Sequence, residues 1–247
     1  MRGFVAVFKR EMLGLWVTPL AWIVTAVFLT LQGWSFYTLV EYYAKFTTVS
    51  VDQGPLQAYF VSPFIVMSLM MICPALSMRL FAEERRSGTI EALLTAPVSA
   101  VGVVFGKYAA VLATYGLMWL PTLAYPIILR NTGHVDWPVV ASSYLGIFGI
   151  GASYLSIGMF MSAMTRSQLI ALVLTIMVLF GTFILGLGEF IFDEGPLRDM
   201  CTHISVRGQL GDFAKGIIDL RRVVLDATAI GLPLFMTVRV VDSWRFG

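Results

Sequence analysis

Charged side chains are scarce in this chain. Aspartate, glutamate, lysine and arginine make up 13% of its 247 residues, against roughly 25% in soluble domains. Apolar residues make up 58% of the chain, which leaves too few polar groups to cover a surface that faces water. This composition excludes an ordinary soluble domain and indicates an integral membrane protein.

Cysteine and histidine are also rare, with two of each. Cys73 falls inside a predicted membrane span and Cys201 does not, so we expect no disulfide framework. His134 and His203 have no partner at metal-ligand spacing, and we expect no metal site. A cleavable secretory signal is not expected either, because the first long apolar run is already a full span.

Motifs for catalysis and ion coupling are lacking as well. Residues 102–107 faintly resemble a phosphate-binding loop, but the glycines are one residue too close and no serine or threonine follows Lys107. We therefore expect the chain to be no enzyme and to bind no cofactor itself. Gly102 and Gly106 are instead typical of a surface where helices approach closely. The first five predicted spans carry no ionisable residue near their centres, which argues against a carrier driven by protons or sodium.

Six apolar stretches fill most of the chain. A helix needs about 20 residues to cross the hydrocarbon core, so these stretches predict an all-α polytopic membrane protein with one transmembrane domain over residues 1–247. The last stretch is the weakest, because Asp226 and Arg239 lie near its two ends. The predicted spans are residues 18–40, 60–80, 104–129, 138–163, 168–189 and 223–241.

Two amphipathic helices are predicted outside the spans. Apolar side chains recur at helical spacing over residues 1–16, while the charged residues 9–11 lie off that stripe, which predicts a helix in the membrane interface. The alternative is an ordinary N-terminal extension of the first span. In the outer loop, residues 190–222, the second half predicts a helix on the outer surface over residues 211–224. Its apolar face would consist of Phe213, Ile217, Leu220 and Val224.

The placement of lysine and arginine predicts the orientation. Ten of the 17 basic residues fall on the side that we assign to the cytoplasm, and seven fall on the other. Five of these seven lie in one long loop, and long loops carry less weight. Both termini of this multi-pass protein are therefore predicted to be cytoplasmic. The cytoplasmic set is Arg2, Lys9, Arg10, Arg79, Arg85, Arg86, Lys107, Arg166, Arg239 and Arg245.

One short charged cassette, residues 81–99, lies between the second and third spans. The second span continues into a run of charged residues, so its helix is predicted to project into the cytoplasm. Gly88 is predicted to end that helix, since glycine relieves strain where a helix stops. Thr89 is predicted to cap a new short helix, residues 89–96, which Pro97 limits to about two turns.

This short helix has an apolar face that is too small to form a core. Ile90, Leu93 and Leu94 make up the face, and Glu91 lies in the first turn, where its charge suits the helix dipole. Such a face needs a groove on a partner to bury it. The alternative is a loop helix that lies on the membrane surface.

At these residues the chain resembles a known family. The run E-R-x-x-G-T-x-E-x-L-L-x-x-P-V is similar to the cytoplasmic signature of ABC transporter permeases of the type-2 exporter class. The resemblance implies that residues 89–96 form a coupling helix, which docks into the ATP-binding subunit and moves as a rigid lever with the second span. Gly106 and Lys107 also resemble the family's start of the third span. The residues expected to couple to the ATPase are Glu84, Gly88, Thr89, Ile90, Glu91, Leu93, Leu94 and Pro97.

Two further segments resemble the gliding-motility permease branch, which is close to the nitrous-oxide-reductase maturation permeases. Residues 155–171 are similar to that branch's turn between the fourth and fifth spans, and Arg166 and Gln168 are expected there as a second cytoplasmic contact. Residues 211–224 are similar to the segment before the branch's last span. Asp226 departs from the family, which usually has an apolar or aromatic residue there. The matching residues of the outer helix are Phe213, Gly216, Ile218, Asp219 and Arg221.

The resemblance implies the membrane subunit of an ATP-driven exporter, located in the bacterial inner (cytoplasmic) membrane. Such a subunit pairs with a second copy or a paralogue, with the first, second and fifth spans along the dimer interface and any path. Two separate ATPase subunits hold ATP and magnesium, and no nucleic acid is expected as a partner. The alternative is an ATP-driven assembly that transmits force to an extracytoplasmic auxiliary protein without passing a substrate. A passive membrane scaffold is a third hypothesis, against which the cassette argues.

Overall fold

The computed structural model describes residues 2–45, 54–89, 99–131, 135–193 and 195–244. All regular structure within these ranges is helical, which confirms the predicted all-α class. Single 3₁₀ turns lie at Leu120–Leu123 and Gly188–Phe190. The helices are α1 Arg2–Val17, α2 Pro19–Lys45, α3 Pro55–Phe60, α4 Pro63–Ser77, α5 Ala82–Ser87, α6 Ala100–Trp119, α7 Ala124–Arg130, α8 Trp137–Met164, α9 Gln168–Leu187, α10 Pro196–Ile204, α11 Val206–Ala214 and α12 Leu220–Ser243.

Six helical segments of the described chain are long and apolar enough to cross a membrane, in agreement with the prediction. Helices α2, α8 and α12 each form one segment alone. Helices α3 to α5 together form the second segment, α6 and α7 form the third, and α9 with its 3₁₀ turn forms the fifth. The segments are Pro19–Lys45, Pro55–Ser87, Ala100–Arg130, Trp137–Met164, Gln168–Phe190 and Leu220–Ser243.

Helices α1, α5, α8 and α12 meet at one end of the bundle, which we call the cassette end. Arg79, just before α5, donates a hydrogen bond to the carbonyl of Gly14 on α1 at 3.0 Å. Arg85 on α5 donates to the carbonyl of Ala163, near the end of α8, at 2.7 Å. The same guanidinium group lies 4.7 Å from the ring centroid of Trp244, just after α12. The first and the last described helix therefore reach the same end.

The opposite end, which we call the far end, is covered by α10 and α11. Ser142, in the first turns of α8, donates a hydrogen bond to the carbonyl of Phe213 on α11 at 2.6 Å. Arg222, in the first turn of α12, donates to the carbonyl of Ser205 at 3.3 Å. Side chains of both membrane segments thus hold the two short helices in place.

Helix α8 occupies the centre of the bundle. In the apolar stretch of α8, 67% of the residues are buried, compared with 17% in α2, 22% in α9 and 17% in α12. Glycines on α8 let its neighbours approach, since an added Cβ on Gly158 would collide with Ser77 of α4. An added Cβ on Gly146 would lie 2.6 Å from the Phe213 ring of α11. Helix α8 therefore packs closely against α4 through Gly158 and against α11 through Gly146.

Helix α1 packs along α6. A Cβ added to Gly106 would lie 3.0 Å from a methyl group of Val7 and 3.3 Å from the carbonyl oxygen of Phe4. This contact confirms that Gly106 marks a close approach of two helices. The helical conformation predicted near the N-terminus is confirmed over Arg2–Val17. Its location in the membrane interface stays a prediction.

The continuous helix predicted at the end of the second span is wrong. Helix α4 ends at Ser77, residues 78–81 form a turn, and α5 begins at Ala82. Pro74 lies one turn before the break and has no N–H to donate within the helix. The hydroxyl of Ser77 donates to the carbonyl of Cys73 at 2.7 Å. The cassette therefore begins on a separate short helix.

The single amphipathic helix predicted over residues 211–224 is also wrong. Helix α11 ends at Ala214, and Gly216 adopts the left-handed conformation with φ of 78°, which a helix does not contain. Asp219 then caps α12 by accepting a hydrogen bond from the backbone N–H of Arg221 at 2.9 Å. Phe213 is buried under α8, whereas Ile217 and Leu220 are exposed, so no common apolar face exists. The residues predicted for this helix are divided between α11, the connection and α12: Phe213, Gly216, Ile218, Asp219 and Arg221.

Candidate functional site

Helix α5 carries the first residues of the family signature, Glu84 and Arg85, and leads directly into the rest of it. Its first turn carries Glu83 and Glu84, and its last turn carries Arg85 and Arg86, an order that suits the helix dipole. Gly88 follows with φ of 73°, a left-handed conformation that glycine adopts without a steric penalty. The prediction that Gly88 ends the helix is confirmed.

Thr89 is the last described residue before the predicted coupling helix. Its hydroxyl lies 2.9 Å from that of Ser87, so the two side chains fix the exit from α5. Residues 90–98 lie outside the described part of the chain. The helix over residues 89–96 therefore stays a prediction, as do the roles of Ile90, Glu91, Leu93, Leu94 and Pro97.

A buried ionic cluster joins three helices next to this exit. Lys107 on α6 is 1% exposed, and its Nζ lies 2.7 Å from Oε1 of Glu11 on α1 and 2.9 Å from Oε1 of Glu84 on α5. Its ammonium group also lies 5.3 Å from the ring centroid of Phe81. Hence Glu84, expected to contact the ATPase, is bound within the chain, and it connects the cassette to α1 and α6.

A lysine at this depth needs its partners. Removing an ion from water costs several kcal/mol, and only close pairing with further hydrogen bonds offsets that cost. Two carboxylates supply this pairing for Lys107. We therefore expect α1, α5 and α6 to keep one arrangement, because separating any of them would leave a buried charge unpaired.

The turn before α5 is attached to the central helix through Ser162 on α8. The Ser162 hydroxyl accepts hydrogen bonds from the backbone N–H groups of Phe81 and Ala82, both at 3.1 Å. It donates to the carbonyl of Met78 at 2.8 Å. One fully buried side chain thus pairs three backbone groups that the break between α4 and α5 would leave unpaired.

Arg166 and Gln168 lie at the same end as the cassette. Arg85 on α5 bonds the carbonyl of Ala163, and Arg166 follows three residues later in the turn between α8 and α9. Arg166 is exposed, and Gln168 is the half-buried first residue of α9. The structure thus brings Arg166 and Gln168 to the end that carries Glu84, Gly88 and Thr89.

A polar cavity of about 360 Å³ opens at the cassette end between α1 and α5. It lies directly beside the ionic cluster and the exit from α5. Charged and hydroxyl side chains dominate its lining, which distinguishes it from the apolar surface of the spans. The lining includes Arg10, Glu11, Thr18, Arg79, Glu83, Glu84, Ser87, Thr89 and Lys107.

Two residues of this site were not singled out from the sequence as functional. Glu11 was placed only as a charged residue off the apolar stripe of α1, and Ser162 was one of many serines in the apolar spans. Lys107 gave a usable signal, because a lone basic residue inside a long apolar stretch requires an acidic partner. The identity of that partner depends on helix packing, which periodicity does not reveal.

A second polar cluster holds the far end together. Arg222 Nη2 lies 2.8 Å from Oδ2 of Asp212 on α11, and Gln209 Nε2 donates to Oδ2 of Asp226 at 2.6 Å. Asp226, the departure from the family pattern, thus has a buried partner on α11. Among the described residues, no group of three or more His, Cys, Asp or Glu side chains is placed to hold a metal.

The six long apolar helices define a polytopic all-α membrane protein. A family profile described as ABC-2 family transporter protein matches residues 39–201, which is more than half of the 247 residues. The chain belongs to the ABC-2 transporter family. It is a transmembrane permease subunit of the ABC transporter class, and such permeases generally work with a separate ABC ATPase. No curated protein matches the chain.

Proposed function

We propose that this permease couples ATP hydrolysis in a separate ATPase subunit to export of a substrate across the bacterial inner membrane. The observation that carries the proposal is the position of Gly88 and Thr89. They follow the end of a short helix that is fixed to α1, α6 and α8, and they lead directly into the predicted coupling helix. A force that residues 89–96 pass on to α5 would reach three helices of the bundle through the contacts of α5.

The contacts of α5 support this transmission. Glu84 reaches α6 through Lys107, Arg85 reaches α8 and α12 through Ala163 and Trp244, and the preceding turn reaches α8 through Ser162. A force from residues 89–96 would thus act on several helices of the bundle and not only on the second span. In this arrangement the cassette end faces the cytoplasm, where the ATPase and its ATP and magnesium are located.

We further propose that two copies of the chain, or the chain and a paralogue, form the complete transporter. Helices α2 and α9 support this, because only 17% and 22% of the residues in their apolar stretches are buried in the single chain. Their large exposed side chains include Trp22 and Trp34 on α2 and Phe180 on α9. Two ATPase subunits would then bind one permease each. The segments over residues 155–171 and 211–224 resemble the gliding-motility branch, and they favour that branch for this permease.

The coupling test uses Leu93→Asp combined with Leu94→Asp, and separately Glu91→Arg. We expect each variant to insert normally, to lose co-purification with its ATPase subunit, and to lose permease-dependent ATP hydrolysis. The matched control is Ile217→Asp combined with Ile218→Asp, two exposed apolar residues at the far end. Normal complex formation and hydrolysis in the coupling variants would contradict the proposal.

A second candidate function is transmission of force to an extracytoplasmic partner without transport. The ordered cap of α10 and α11 favours it, because Arg222, Gln209 and Ser142 bind that cap to α8 and α12. The two functions differ in proteoliposomes that contain permease and ATPase. An exporter hydrolyses ATP faster in the presence of its substrate, whereas a force transmitter responds to its protein partner.

A further inference from the structure

A second cavity, of about 330 Å³, lies between α4 and α9 and borders the far-end cap. A volume of this size with a mainly apolar wall is typical of a site for a small molecule. Met67 is 65% exposed and Phe180 is 52% exposed, so the cavity opens on the outer surface of the membrane segments. A molecule dissolved in the membrane can therefore enter it from the side. The apolar wall includes Val66, Met67 and Met70 of α4 and Phe180, Phe183 and Leu187 of α9.

Two side chains of opposite charge line the same cavity where it meets the far end. Glu189 lies in the 3₁₀ turn after α9, and Arg207 lies in the first turn of α11. Neither forms an ion pair with the other or with any other described residue. Arg207 is exposed and Glu189 is half-buried, so a ligand can reach both. The cavity thus combines an apolar wall with one free cation and one free anion.

The position of Arg207 suits a phosphate group. Its guanidinium carbon lies 5.8 Å from the ring centroid of Phe190, a cation–π contact that keeps the charged group near the cavity. The N–H groups of an arginine can bind two oxygens of one phosphate. The first turn of α11 is also the positive end of that helix dipole, which adds to the attraction for an anion.

We propose that this cavity binds a membrane lipid whose headgroup carries both a phosphate and a primary amine, as in phosphatidylethanolamine. One acyl chain lies along the apolar wall, the phosphate pairs with Arg207, and the ammonium group donates hydrogen bonds to Glu189. Glu189 determines the choice of lipid, because it repels a headgroup with a net negative charge. A quaternary ammonium group, as in phosphatidylcholine, has no N–H to donate to this carboxylate.

The headgroup should determine the affinity more than the acyl chain does. A chain that moves from the bilayer into the cavity exchanges one apolar environment for another, so its burial contributes little free energy. Lipids with identical chains and different headgroups therefore test the proposal directly. The site lies at the end opposite the cassette, and binding there requires no ATPase subunit.

The first test measures lipid binding to the purified permease by native mass spectrometry. Phosphatidylethanolamine should bind about fivefold more tightly than phosphatidylglycerol or phosphatidylcholine with the same chains, because only its headgroup complements both charges. Glu189→Gln should abolish the preference over phosphatidylglycerol, and Arg207→Gln should weaken binding of phosphatidylethanolamine about tenfold. The matched controls are Arg198→Gln and Asp199→Asn, exposed charges of α10 outside the cavity wall, which should bind like the parent. Equal binding of the three lipids, or a preference that persists in Glu189→Gln, would overturn the proposal.

The second test fills the cavity. Met70 is half-buried in the cavity wall, and Met70→Trp should weaken lipid binding about tenfold because the indole takes the space of the acyl chain. Met71→Trp changes the exposed neighbour outside the wall and should bind normally. Undiminished binding in Met70→Trp would place the lipid elsewhere and reject the site. A permease dimer that binds no lipid would show that a second copy covers the cavity, and it would also reject the site. Either rejection leaves the proposed coupling to the ATPase intact, because that coupling is measured separately at residues 91, 93 and 94.

Discussion

The hydroxyl oxygen of Ser162 lies 3.1 Å from the backbone nitrogen of Phe81, and this bond ties the central helix α8 to the turn before α5. The same hydroxyl also pairs Ala82 and Met78. A hydroxyl group can accept two hydrogen bonds and donate one, so all its capacity is used here. The break in the second span is therefore stabilised from outside its own helix.

Replacing Ser162 by alanine should destabilise the permease. Two N–H groups and one carbonyl would lose their partner in a buried site, and we expect a loss of about 1–3 kcal/mol. Thermal unfolding in lipid nanodiscs measures the change. Ser243→Ala, which removes an exposed hydroxyl that bonds only within its own helix, should stay within about 0.5 kcal/mol of the parent. Equal effects of the two variants would contradict the bridging role.

Replacing Lys107 by methionine should have a larger effect. Glu11 and Glu84 would face each other without a cation, and breaking a buried pair costs about 3–5 kcal/mol. Thermal unfolding and hydrogen exchange of α1 report the loss. The control is Lys45→Met, whose ion pair with Glu41 is exposed and contributes less than about 1 kcal/mol. A Lys107→Met protein as stable as the Lys45→Met protein would show that the ionic cluster does not stabilise the permease.

Replacing Gly88 by alanine should alter coupling more than stability. The left-handed backbone at φ of 73° costs an alanine about 1–2 kcal/mol, so the exit from α5 should shift to another direction. We expect reduced ATPase association at near-normal thermal stability. Gly231→Ala, within α12 with open space around the new methyl group, should associate normally. Full association of the Gly88→Ala protein would show that the direction of this exit is unimportant.

Replacing Arg222 by methionine should release the far-end cap. The variant loses the bonds to Asp212 and Ser205, which hold α11 to α12. Hydrogen exchange of residues 206–214 should rise at least tenfold, while exchange in α5 stays unchanged. Arg221→Met alters the exposed neighbour and provides the matched control. Unchanged protection of α11 in Arg222→Met would mean that apolar packing of Phe213 suffices to hold the cap.

The membrane architecture could be predicted because it depends on length and polarity alone. Each of the six apolar stretches is long enough to cross a bilayer. Such a stretch forms a helix because lipid offers no hydrogen-bond partners and a helix pairs its own backbone N–H and C=O groups. The stop at Gly88 was also predictable, since it follows from the backbone freedom of one residue. The length of a span and the helix stop at Gly88 depend only on residues that are close in sequence, so both can be predicted from one sequence.

The ionic cluster could not be assembled from the sequence. Lys107 and Glu11 are 96 residues apart, and their meeting depends on how α1 lies along α6. The prediction of one helix over residues 211–224 failed for a different reason. Apolar spacing continued through Gly216, but spacing does not report the backbone angle that ends α11 there. The break after Ser77 was missed because the residue that stabilises it, Ser162, is on another helix.

Helix α12 is fastened at both of its ends. Arg222 holds it to the far-end cap, and Trp244 lies against Arg85 and, at 5.9 Å between ring centroids, against Phe81. The 24 residues of this helix span about 36 Å. Helix α8 also contacts α5 and α11. The long helices α8 and α12 therefore connect the same two short helices, α5 at one end of the bundle and α11 at the other. We therefore expect a tilt of α5 at the cassette end to be accompanied by a tilt of α11 at the far end, because both are attached to the same two long helices.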